Sequence, residues 1–137
     1  MERQRYDDAY TKSIPGAPDV VAADGMDVRI LISGTGGSMA HFELAEGKTG
    51  RAVRHKTVEE VWYVLEGRFA IWRSDVYKGS PIEVGAGDSF RIPVGTSFQV
   101  KVPVSGRIKV VAVTTPPWPG DDEVEVVEGY WPTTVDG

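Results

Sequence analysis

Apolar and polar residues alternate in short runs along most of the chain. Ala40, Phe42 and Leu44 share one face of a run whose other face carries Met39, His41 and Glu43. That is the period of a strand buried on one side. The same spacing puts Glu60, Trp62 and Val64 together in a run at 60–65, and Val53 with His55 in a run at 51–56. Further runs at 28–32, 68–73, 82–84, 89–92, 97–102 and 107–114 are rich in valine and isoleucine. Turn-forming residues separate them, at Asp24-Gly25, 34–37, Glu46-Gly47, Glu66-Gly67, Lys78-Gly79, 85–88, Pro93-Val94-Gly95 and Ser105-Gly106. No segment repeats apolar residues at helical spacing. Short strands punctuated this regularly predict an all-β sandwich or closed barrel.

The two ends read differently. Residues 1–23 are polar and broken by Ile14-Pro15-Gly16-Ala17-Pro18, which predicts an arm rather than a core element. The tail at 115–137 opens with Pro116-Pro117-Trp118-Pro119-Gly120, and prolines lack the donor that a central strand needs. It is expected to lie on the surface, anchored by Trp118 and Trp131. No linker or repeat interrupts the 137 residues, so one domain spans 1–137 with its core at about 27–117.

Charge and composition narrow the function classes. A formal net charge of −5 disfavours nucleic acid, whose phosphates need a basic face. Arg51, Arg54 and Lys56 gather locally; a solvated strand edge is the preferred reading, an anion site the other. The chain has no cysteine, which removes disulfides, thiolate metal sites and cysteine nucleophiles. No run approaches the roughly 18 apolar residues of a membrane helix, and the first residues lack the apolar core of a secretory signal. A cytoplasmic location is the default expectation.

Two spacings carry a family resemblance. Gly47, five residues, Val53-Arg54-His55, four residues, Glu60, six residues and Gly67 form the first. Gly87, five residues, Pro93-Val94-Gly95, two residues, Phe98, three residues and Val102 form the second. Their glycine and proline skeleton resembles the two motifs of the cupin family, and Glu59-Glu60-Val61-Trp62-Tyr63-Val64-Leu65-Glu66-Gly67 is similar to the usual cupin strand and turn. The chain also resembles small single-domain bacterial cupins of no assigned activity, which share Arg54-His55-x-Thr57-Val58-Glu59-Glu60 and Pro116-Pro117-Trp118-Pro119-Gly120. The resemblance implies a double-stranded β-helix, or jelly-roll, barrel with both inward faces lining a lumen.

Metal-binding cupins hold Mn, Fe, Ni or Zn with three histidines and a glutamate. Carried over position by position, the resemblance leaves only His55 and Glu60, because Val53 and Phe98 stand where the first and third histidines would be. Two donors fall short of the three that catalytic metal sites usually supply. His41 belongs to the polar face of its strand and is expected at the surface or an interface, so it is only a remote candidate for a third ligand. The expectation is no cofactor, with a divalent metal on His55, Glu60 and possibly His41 as the minority alternative.

What remains is an imidazole and a carboxylate facing an apolar lumen of Val53, Trp62, Val64 and Phe98. The plainer reading is a buried pair whose members satisfy each other by a hydrogen bond. The functional reading is an acid–base dyad, with Glu60 stabilising the imidazolium so that His55 titrates near neutrality. Gln99 should face outward, as should Tyr63, which suits a dimer contact, while Trp72 and Tyr77 suit an interface or the surface. Arg73 and Arg91 are either ligand-carboxylate partners or, preferably, solvated strand residues. The leading expectation is a homodimeric pocket protein for a small organic molecule, either a binder or a metal-independent isomerase or lyase. The alternatives are a metal-dependent dioxygenase, isomerase or decarboxylase-like enzyme with an incomplete ligand set, and a non-catalytic structural or regulatory barrel.

Overall fold

The computed structural model describes residues 3–135. Eleven strands form in chain order: β1 (Val20–Val21), β2 (Asp27–Ser33), β3 (Ser38–Leu44), β4 (Val53–His55), β5 (Glu59–Glu66), β6 (Arg68–Arg73), β7 (Ile82–Gly85), β8 (Ser89–Ile92), β9 (Ser97–Lys101), β10 (Ile108–Thr115) and β11 (Val124–Val126). They pair antiparallel into two sheets, β1-β2-β3-β10-β5-β8 and β11-β4-β9-β6-β7. This is the expected all-β jelly roll, and the predicted runs match its strands to within about two residues.

The alternation does what its period requires. In β5, Glu60, Trp62 and Val64 are buried while Val61, Tyr63 and Leu65 are each about half exposed. In β10, Ile108, Val110, Ala112 and Thr114 turn inward. Side chains from both sheets meet in one core that includes Trp62, Phe69, Ile71, Phe98, Val100 and Val110. The chain passes from one sheet to the other at Gly67, where φ is +87° and a Cβ would stand 2.5 Å from the Arg107 carbonyl oxygen. Only glycine takes that crossing without strain.

Both ends bind more closely than their composition suggests. The arm contributes β1, which pairs with β2, and Asp19 accepts a hydrogen bond from the Ile30 amide at 2.7 Å. The tail contributes β11, which adds to the edge of β4; its three-residue Val-Glu-Val run is too short to stand out by periodicity. Arg54 and Lys56 on that edge both pair with Glu125 of the tail, while Arg51 donates to the Ala23 carbonyl of the arm. The Glu123 carboxylate caps the β4–β5 turn, accepting hydrogen bonds from the Thr57 and Val58 amides and the Thr57 hydroxyl.

Gln99 faces away from the lumen as its position in β9 dictates, yet it is 1 % exposed. Its amide nitrogen donates to the Gly50 and Trp131 carbonyls, and its oxygen accepts from the Tyr130 and Trp131 amides, all at 2.9 Å. The tail covers this outer face, so the outward residue is buried rather than solvated. Losing such a hub strands buried backbone groups. Gln99→Ala should therefore cost about 2–4 kcal/mol in urea unfolding and should speed proteolysis in the tail. An unchanged cleavage pattern would contradict this anchoring role.

Candidate functional site

Between the sheets lies a cavity of about 480 Å³. Its inner wall comes from Val53 and His55 of β4, Glu60 and Trp62 of β5, Phe98 of β9, Ala112 and Thr114 of β10, and Ser38, Ala40 and Phe42 of β3. These are the inward positions of each strand, brought together because β4 pairs with β9 and β5 with β10. Both ends of the chain add to the lining. The arm supplies Val20 to Ala23, the turn after it Asp24, and the tail Trp118, Asp121 and Val124. Ser38 locks the tail in place, since its hydroxyl accepts from the Trp118 amide at 2.9 Å and shares a 2.5 Å hydrogen bond with Thr114.

His55 is 5 % exposed and Glu60 2 %. The imidazole is held edge-on between two aromatic rings, Phe98 and Trp118, each at 5.3 Å between centroids. Its Nδ1 lies 3.9 Å from Glu60 Oε1 and has no hydrogen-bond partner. Glu60 Oε1 instead accepts a 2.9 Å hydrogen bond from the Trp62 indole. A separation of 3.9 Å is beyond hydrogen-bond range, so the expected mutually satisfied pair does not form. The register accounts for this: Trp62 sits two residues from Glu60 on the same face and reaches its oxygen first.

Burial sets the protonation of both groups. Loss of water pushes Glu60 up to about 8, reinforced by the Asp24 and Glu123 charges and opposed by the Trp62 hydrogen bond. The same loss brings His55 down to about 4, opposed only by the more distant Glu123. At neutral pH the two face each other uncharged. This corrects the expectation of an imidazolium held by an ionised glutamate. In a dry site without a direct hydrogen bond, desolvation of two charges outweighs their attraction.

A four-donor metal centre of the kind the resemblance implies does not fit these residues. Val53 and Phe98 are each 2 % exposed and offer no donor. His41 is on the opposite face of β3, between Arg29 and Val111 of the neighbouring strands. Among the described residues no three His, Cys, Asp or Glu side chains gather to hold an ion.

Other predicted positions also need correction. His41 is turned from the lumen as expected but is 6 % exposed rather than at the surface. Arg29 beside it reaches Glu43 and the Pro15 carbonyl of the arm and covers that face; burial lowers the His41 pKa. Val64 belongs to the packed core and does not line the cavity. Arg73 is buried in register with Phe69 and Ile71, its guanidinium over the Tyr77 and Phe90 rings and donating to the Arg91 carbonyl. Its charge suggests solvent, but its spacing is the better guide. Arg91 is largely exposed beside Glu59. Trp118, expected as a surface anchor, is a cavity wall, and Asp24, Asp121, Ser38 and Thr114 complete the polar lining. Asp24 and Trp118 lie outside any strand period, so alternation carries no signal for them.

Residues 40–114 match the family model described as Cupin domain. No curated protein matches the sequence. Among solved structures, the fold is shared with a Bacillus halodurans protein at 19 % identity, covering 74 % of this chain and 76 % of that one with a TM-score of 0.61. It is shared with KdgF from Halomonas sp. at 19 % identity, covering 69 % and 82 %, TM-score 0.60. Pac13, a Streptomyces protein described as a nucleoside dehydratase, matches at 12 % identity over 90 % and 92 % of the chains, TM-score 0.62. Such identities establish a common fold only.

The protonation state has a thermodynamic signature. Glu60 binds its proton more tightly folded than unfolded, so its contribution is full at low pH and is lost as pH rises towards 8. His55 acts oppositely, losing stability as pH falls from 6.5 towards 4. Between about 6.5 and 8 only Glu60 acts, and folding stability should fall by about 2 kcal/mol. Glu60→Gln should flatten that decline in urea unfolding; an equal decline in the variant would contradict the assignment. Equilibrium dialysis of the wild type against Zn, Mn or Ni should leave well under one equivalent bound. A stoichiometric ion lost on His55→Ala would overturn the two-donor account.

Proposed function

The chain belongs to the cupin family, and within it we propose a metal-independent site for a small organic molecule, with His55 and Glu60 as its proton-handling pair. One observation carries the reading. A neutral imidazole with an unpartnered Nδ1 faces a carboxylic acid 3.9 Å away, both inside a cavity of about 480 Å³. That volume is in the range of small-molecule pockets and speaks against a lumen filled by its own side chains.

The pair suits elimination or isomerisation. In an elimination of water, His55 takes a C–H proton as the C–O bond breaks and the C=C bond forms. Glu60 gives its proton to the departing hydroxyl, which leaves as water. The imidazolium then returns its proton to the glutamate, restoring two neutral groups. The apolar wall excludes bulk water, and the aromatic clamp of Phe98 and Trp118 holds the ring in one orientation. The dehydratase description of Pac13 supports this only to the extent that the same barrel shape accommodates an elimination.

A fragment screen by ligand-observed NMR tests occupancy first. Hits should be lost in Ala112→Phe, which fills the floor of the cavity and spares both titratable groups. Hits bearing a C–H beside a carbonyl should then exchange it for deuterium in D₂O, about 10²–10⁴-fold slower in His55→Phe or Glu60→Gln. Hits that persist in Ala112→Phe, or exchange indifferent to both dyad variants, would overturn the reading.

A further inference from the structure

The charges around the cavity are one-sided. Three carboxyl side chains line it (Asp24, Glu60 and Asp121) and no lysine or arginine does. Glu60 is buried beside His55 and feels the Asp24 charge; Asp24, in the turn after the arm, is half-buried, and Asp121, from the tail, is exposed. Trp118, also from the tail, lines the same cavity with its ring centroid 5.3 Å from that of the imidazole. The nearby basic groups do not line the cavity. Arg51 donates one guanidinium nitrogen to the Ala23 carbonyl, holds the other buried without a partner, and only partly offsets Asp24. Lys56 lies on the outer side of the tail, within 4.0 Å of Glu125.

We propose that the ligand of this cavity is an organic cation, an amine whose ammonium group sits between Asp24 and Asp121 against the Trp118 indole, with its apolar body inside against Phe98 and Trp62. The inference rests on the organic-ligand reading above and names the class of molecule. An anionic ligand would have to shed its water with no lysine or arginine on the cavity wall to receive it, beside carboxyl groups that repel it. An amine gains two acidic partners and an aromatic face. The unpartnered Nδ1 of His55, on a cavity-wall residue only 5 % exposed, is an independent mark of a ligand-facing group. Burial also pushes Asp24 up to about 6, against the pull of the Met26 amide and Arg51, so a bound ammonium relieves a carboxylate that water no longer serves. With the charge held there, the His55–Glu60 pair is left free for the body of the molecule.

Matched probes test this at low salt: benzylamine, benzyl alcohol and benzoate, and the corresponding tryptamine, indole-3-ethanol and indole-3-acetate, titrated by calorimetry. The amine of a set should bind roughly tenfold or more tightly than its alcohol, with the carboxylate weakest. The Asp24→Asn, Asp121→Asn double variant keeps a side-chain oxygen at position 24 for the Met26 amide, and it should bring the amine down to the alcohol. Raising salt should narrow the gap. Carboxylates binding as well as amines, or an amine preference that survives the double variant, would overturn the charge selectivity while leaving the organic-ligand reading standing. Failure of all six probes to bind would sink both.

Discussion

Loss of water around His55 and Glu60 sets the protonation of the cavity wall. Each group sits on a wall of apolar and aromatic side chains, and neither is given the ionic partner that would stabilise its charge. Placed 3.9 Å apart without a hydrogen bond between them, they resolve the conflict by both becoming neutral. In water near neutral pH the glutamate would be ionised and the histidine partly so; here both are neutral, the base and the acid of the proposed site. The remaining architecture maintains that dryness. The two sheets supply the walls, and the arm and tail, pinned by Asp19, Gln99 and Glu123, supply the cover.

In the proposed site the cover gives the ends of the chain a functional as well as a structural part. Trp118 flanks the imidazole because Ser38 holds its backbone and Thr114 holds Ser38. The cavity wall is acidic there because the turn after the arm brings Asp24 to it and the tail brings Asp121. A barrel trimmed to its family-defining core would keep both members of the dyad and lose the groups that enclose them.

The strands are legible because half-burial writes a period of two into the sequence; that period groups Val53 with His55 and Glu60 with Trp62, and the cupin resemblance turns those faces, with Phe98, into the lumen. Legibility ends where a second layer covers the outer face. Gln99 and His41 point away from the lumen, as alternation requires, yet tail and arm bury them. Arg73 misleads for the opposite reason: its spacing from Phe69 and Ile71 marks it as inward, and its charge obscures that. Trp118 and Asp24 are illegible as site residues because no repeat fixes where a proline-rich tail or a turn will fold back. The pair itself follows from the cupin motif, but its ionisation does not, since a one-dimensional pattern reports which residues share a face and not which hydrogen bond forms first.

A side-chain NMR titration reads that ionisation directly, using ¹⁵N-imidazole and ¹³C-carboxyl labels in the wild-type protein. The account predicts a His55 ring that stays neutral until the pH drops to about 4 and a Glu60 carboxyl that keeps its proton until about 8. An imidazolium at pH 7 facing an already ionised Glu60 would contradict it.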